Sequence, residues 1–372
     1  MNPDRPIPNP GGKFESVQML RGVAASLVVF HHMCRLIDQF RPGSVITHFR
    51  HIAEMGAGGV DIFFCISGFV ITYAARNMPQ GAAPAARFAF RRLWRVVPLY
   101  WIFTTLLVVL WLLGHAMRSQ NVTPGFLACS YMLLRCPKAD VSTGDIRYDP
   151  FLDPGWSLTF EMFFYAVCTV IVLQAGGRRI FPFAPLFVAA VAVTLTIASS
   201  VYPEIHDIFS PFLLWEFVFG VIIAHVVGTR QTIPHWHHLA GIALLLLGTA
   251  WFLHSAYLAD PLSHRLTAWG FPGAAIVAGA ALLRPSTAGP IGSFAIFLGT
   301  ASYTIYLAHP FALLLVRRLF VKGFFLDVNP DVLLILATAV AVVGCSLLYF
   351  LIERPLVNLP IGNKPGKAVA AT

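Results

Sequence analysis

The stretch Asp331-Val-Leu-Leu-Ile-Leu-Ala-Thr-Ala-Val-Ala-Val-Val-Gly-Cys-Ser-Leu-Leu-Tyr-Phe-Leu-Ile352 carries one charged residue, at its first position. Coiled at about 1.5 Å per residue, such a run spans roughly the 30 Å hydrocarbon layer of a bilayer. A helix apolar on every side needs an apolar surrounding, and so long a run reads as membrane-spanning.

Comparable runs recur along the chain, near 17–37, 58–76, 96–114, 156–174, 180–200, 208–228, 238–255, 267–283 and 294–316. The composition agrees: 57% of the 372 residues are hydrophobic and 12% are charged, against about 25% charged in soluble domains. The expected fold is all-α, a polytopic transmembrane bundle of about ten helices, each of roughly 17–25 residues. The segment 125–135 is apolar but short, and reads as re-entrant or interfacial. Residues 1–12 and 361–372 read as disordered tails around a single transmembrane domain, 13–360. No secretory signal is read in Met1 to Gly12.

Orientation follows from basic residues in short loops. The densest cluster is Arg87, Arg91, Arg92 and Arg95, which places that loop, and with it both termini, in the cytoplasm. The net charge of +9 then concentrates on the inner face. Arg317, Arg318 and Lys322 fall outside and run against the rule. The loop 137–155 is the longest outer connection and is acidic, with Asp140, Asp145, Asp149 and Asp153.

Ionisable residues inside spanning helices are costly and mark candidate sites. Arg21 and His32 sit eleven positions apart, which brings them to within roughly 20° of one helix face and about 16 Å apart along the axis. His31 points about 80° away. Asp61, in Gly58-Gly-Val-Asp61, either complements a helix dipole or orients His32 as a base with a carboxylate partner. Arg92 and Arg95 share a face at i, i+3 and, with Arg91, suit a polyanion such as a diphosphate. Ser157, Glu161 and Tyr165 form a polar stripe, with Arg21 or the basic cluster as the natural partner for Glu161. Tyr306 and His309 share a face, and Pro310 frees a carbonyl beside His309. Glu353 can lock helix ends together. The six cysteines form no metal-type pair, although Cys129 and Cys136 could bond outside the cytoplasm. His235, His237 and His238 lack further ligands, Asn121-Val-Thr123 is a common chance pattern, and no metal site is expected.

Taken in order, these segments resemble the acyltransferase family 3 membrane proteins. The resemblance rests on Arg21 with His32, Gly59 to Phe69, Arg92 with Arg95, Trp156 to Glu161, Ser302 to His309, and Glu353 to Pro355. It implies O-acyl transfer, with acetyl-CoA as donor and an exopolysaccharide, O-antigen or lipid-linked sugar as acceptor. The stand-alone exopolysaccharide acetyltransferases are the type it looks most like. On this reading His32 and Asp61 are catalytic, and Arg21, Arg91, Arg92 and Arg95 hold the donor. Trp156, Ser157, Glu161, Tyr306, His309 and Glu353 support the site. A bacterial inner-membrane location, polysaccharide-assembly partners and no nucleic-acid partner follow from the same resemblance. A transporter of a lipid-linked sugar or organic anion is the rival, and internal inverted repeats would favour it; none is read here.

Overall fold

The computed structural model describes residues 14–116, 122–139, 146–202, 209–210, 212–228, 236–258, 264–283 and 289–359. The two expected tails, Asn121, Asp140, Asp145 and His235 lie outside the described residues. Helices dominate. In chain order they are α1 (Glu15–Phe40), α2 (Thr47–Met55), α3 (Gly59–Ala75), α4 (Ala82–Leu112), α5 (Pro124–Tyr131), α6 (Gly155–Ala175) and α7 (Ile180–Val201). Then follow α8 (Phe212–Gly228), α9 (Trp236–His254), α10 (Phe271–Leu282), α11 (Pro290–Thr300), α12 (Ser302–Val321), α13 (Pro330–Leu348) and the short α14 (Arg354–Val357). Among the described residues, eight helical stretches are long and apolar enough to cross a membrane, and α8, α11 and the Leu266–Leu282 stretch that ends in α10 are shorter apolar helices.

Helix α1 runs through the centre and packs against α3, α11, α12 and α13. Its Ala24, Ala25, Val28 and Val29 are at most 1% exposed. In lipid, close approach between helices depends on small residues, because apolar burial alone gives no preference for protein over lipid. Two glycines show this most sharply. A Cβ on Gly68 of α3 would lie 2.2 Å from the Phe217 carbonyl oxygen, and one on Gly220 of α8 would lie 2.1 Å from that of Cys65. The α3–α8 crossing therefore exists only with glycine at both positions. Aromatic rings fill the space beside it: Phe217 lies 4.7 Å from Phe64 and 4.8 Å from Phe164, centroid to centroid.

Two expectations need correction. The predicted span 294–316 is two helices, α11 and α12, that meet at a corner on Ala301. No proline marks that corner, and Gly299, two residues before it, lies within α11. The corner is set by packing, since Gly299 abuts the Gln18 backbone of α1 and Gln18 Nε2 donates to Thr300 Oγ1 at 3.3 Å. The chain instead passes through Pro310 without a break in α12. The basic cluster, expected before a span that starts at 96, is part of α4 itself.

The short apolar segment forms α5, eight residues capped by Thr123 Oγ1, which accepts from Phe126 N at 3.2 Å. Eight residues reach only about 12 Å, too short to cross. A Cys129–Cys136 disulfide closes its exit. A two-stranded antiparallel hairpin follows, β1 (Pro137–Ala139) with β2 (Ile146–Tyr148), and Lys138 pairs with Arg147 across it. Ion pairs tie this hairpin down: Arg135 to Asp149 at 3.6 Å, Arg147 to Asp149 at 3.1 Å and Lys138 to Asp153 at 3.7 Å.

Candidate active site

Helices α1, α3, α4, α6 and α12 surround a narrow cavity of about 80 Å³. Arg21 enters it from α1 and donates from Nε to Ser302 Oγ at 3.2 Å. Arg92 and Arg95 enter from α4, one helical turn apart. No ion pair joins any of these three guanidiniums to an acid among the described residues. The single carboxylate in the wall is Glu161, and its expected arginine partner is not what it bonds. Its Oε1 accepts from Tyr165 Oη at 2.5 Å, one turn away on α6, and from Ser67 Oγ at 3.3 Å. Local hydroxyls thus satisfy the acid, and three cations face the cavity against one anion. Such a wall attracts polyanions, and planar guanidiniums bind phosphate oxygens through paired N–H donors. Arg91 is absent from the wall and exposed on the outside of α4. One residue of helical rotation from Arg92, about 100°, is enough to turn it out.

Two residues of the cavity wall, Ser157 and Tyr306, form a hydrogen-bonded pair. Ser157 Oγ donates to the Pro154 carbonyl at 3.0 Å, which leaves its lone pairs for the Tyr306 hydroxyl at 2.8 Å. Beyond this pair stand three imidazoles that do not line the cavity. The His32 ring lies 5.0 Å from His309 and 5.0 Å from His31, and His309 lies 6.0 Å from the Tyr306 ring. Each ring ties its Nδ1 to a backbone carbonyl: His32 to Val28 at 2.8 Å, His31 to Ala53 at 2.7 Å and His309 to Tyr306 at 2.7 Å. A carbonyl only accepts, so Nδ1 carries the proton and a neutral ring keeps its lone pair on Nε2. A bare Nε2 is the arrangement a proton acceptor needs.

Asp61 does not orient His32. It is fully buried and takes both Nε (2.9 Å) and Nη2 (2.7 Å) of Arg265, a two-point pair. The Nδ1 of His32 is already committed to Val28, so no imidazole N–H remains for the carboxylate. In apolar surroundings a carboxylate gains most from a planar, permanently charged fork. Glu216 of α8, also fully buried, stands against this pair. The Arg265 guanidinium lies 5.8 Å from the Trp156 ring and 5.1 Å from that of Trp269. Trp156 thereby belongs to the setting of the Asp61–Arg265 pair rather than to the cavity wall. Arg265 escaped the sequence reading; the available signal was a lone arginine two residues before an apolar run.

Glu353 lies outside the cavity too. It is buried and accepts from the Thr304 hydroxyl, which joins the end of the last long helix to α12. Tyr303 Oη donates to the Val96 carbonyl at 2.8 Å and so braces α12 against α4 close to Arg95. Among the described residues no group of His, Cys, Asp or Glu is arranged to hold a metal ion.

The chain is 28% identical over 308 residues to the exopolysaccharide production protein ExoZ of Rhizobium meliloti (strain 1021), covering 83% of this chain and 92% of that protein. It is 23% identical over 379 residues to the acyltransferase MdmB of Streptomyces mycarofaciens, covering 92% and 93%. No solved structure matches. A family model described as an acyltransferase domain matches residues 14–350. With the match running over most of the chain, the protein belongs to this family of membrane acyltransferases.

Proposed function

We propose that the protein moves an acetyl group from acetyl-CoA, supplied at the cytoplasmic face of a bacterial inner membrane, to a hydroxyl of an exopolysaccharide, O-antigen or lipid-linked sugar. The observation that carries this reading is the gathering of Arg21, Arg92 and Arg95 in one cavity whose wall, at Ser157 and Tyr306, approaches the His32–His309 ring pair. The three guanidiniums take the donor's phosphates, and the thioester arm extends along the cavity.

His32 Nε2 accepts the proton of the sugar hydroxyl as its oxygen attacks the thioester carbonyl carbon. The C–S bond breaks, and the proton passes to the departing sulfur, so that the ring is returned unchanged. General-base assistance of this kind contributes roughly 100- to 10,000-fold. Holding donor and acceptor in line supplies much of the remainder. The role of Asp61 is to hold Arg265 in place at the outer half of the site, not to polarise the base. Similarity to ExoZ supports a glycan acceptor, because that relative is named for exopolysaccharide production. Polysaccharide-assembly proteins are the partners this acceptor implies.

The test is acetyl transfer by His32→Ala protein in membranes, with labelled acetyl-CoA and the surface polysaccharide as acceptor. The reading requires a loss of at least about 100-fold with unchanged accumulation of the protein. Wild-type transfer by His32→Ala would end it.

A further inference from the structure

His309 is oriented by the residue that follows it. In an α-helix the carbonyl of residue 306 would accept from the N–H of residue 310. Pro310 has no N–H, so α12 leaves the Tyr306 carbonyl without its helical donor. That carbonyl accepts instead from His309 Nδ1 at 2.7 Å. The His309 ring is 1% exposed, where an N–H without a partner would be costly. The freed carbonyl therefore fixes both the ring's direction and its tautomer, with the lone pair left on Nε2. The ring so fixed stands 5.0 Å from His32, while the Tyr306 hydroxyl, on the same residue, bonds Ser157 in the cavity wall.

We propose that Pro310 is a positioning residue for acyl transfer: by withholding a backbone donor it hands the Tyr306 carbonyl to His309 and sets that imidazole against His32. The inference rests on the reading of His32 as the proton acceptor. It separates cleanly from a stabilising role. Proline inside a helix removes a hydrogen bond and crowds the preceding turn, and spanning helices tolerate it only where the freed group finds another partner. An alanine at 310 adds a helical N–H to the Tyr306 carbonyl, which then has to share its two lone pairs between that donor and the His309 ring, so the ring is held less firmly. The substitution should leave the fold at least as stable and the transfer slower.

The experiment compares wild type, Pro310→Ala and Pro310→Ser, the last guarding against a defect peculiar to alanine. The expected result is a melting midpoint equal to or above wild type, a KM for acetyl-CoA within about twofold, and a kcat lower by about 10- to 100-fold, the scale of a small misplacement. Residues that act through one another are non-additive, so Pro310→Ala combined with His309→Phe should be no slower than His309→Phe alone. Wild-type kcat in both Pro310 variants, a lowered midpoint in both, or losses that multiply with His309→Phe would each overturn the assignment. A His32→Ala protein assayed alongside keeps the two readings apart. If it is inactive while Pro310→Ala is fully active, only the role of Pro310 falls. Full activity in His32→Ala removes the base itself.

Discussion

Replacing Arg265 with alanine should destabilise the protein sharply, and replacing its partner as well should restore much of the loss. Asp61 is 0% exposed and the Arg265 side chain 14%, with both carboxylate oxygens engaged at 2.7–2.9 Å. Removing one member of such a buried pair leaves an uncompensated charge, at a cost of about 3–5 kcal/mol. For a chain of this size the loss corresponds to a fall in melting midpoint of about 4–6 °C. An apolar pair of similar volume, Asp61→Leu with Arg265→Met, often costs little or nothing relative to a buried ion pair. The assay is thermal unfolding in detergent, followed by the fluorescence of the tryptophans, two of which flank Arg265. A midpoint for Arg265→Ala within a degree or two of wild type would refute the reasoning. So would a double variant as unstable as the two single variants added together, since the two residues would then not act as a pair.

Arg92→Ala should raise KM for acetyl-CoA by about tenfold or more, the worth of a charged hydrogen bond, whereas Arg91→Ala, exposed on the far side of α4, should bind the donor like wild type in the same titration. Gly220→Val should fail to accumulate in membranes, because its Cβ would fall 2.1 Å from the Cys65 carbonyl oxygen and no shift of one side chain relieves a backbone contact; blotting of membrane fractions reads this directly. Alkylation and intact-mass analysis before and after reduction should show two further thiols, Cys129 and Cys136, becoming reactive only after reduction under denaturing conditions.

The spanning helices were legible because length and apolarity are properties of a single segment. The run 331–352 needed nothing beyond its own composition, and α13 with the turn that follows it occupies that stretch. That Arg92 and Arg95 lie together was legible for the same reason: they share a helix, so their spacing alone puts them on one face. Partners supplied by distant segments were not. Asp61 and Arg265 are 204 positions apart, and nothing local to Asp61 favours Arg265 over His32. Glu161 looked as though it required an arginine, yet Tyr165 and Ser67 reach it first. The corner at Ala301 was missed because the proline is the stronger break signal, yet Pro310 is carried through while packing of Gly299 against α1 turns the chain nine residues before it. What Pro310 does leave is the free carbonyl beside His309, and that was visible from the dipeptide alone.

Sided reconstitution tests the central claim most directly. Protein inserted in one known orientation in sealed vesicles is given labelled acetyl-CoA on one face and saccharide acceptor on the other. The account requires label on the saccharide only when the donor is on the face nearer Arg21, Arg92 and Arg95 and the acceptor on the face nearer Asp61 and Trp156. Equal transfer with the two reversed, or undiminished transfer by His32→Ala protein in the productive arrangement, would contradict it.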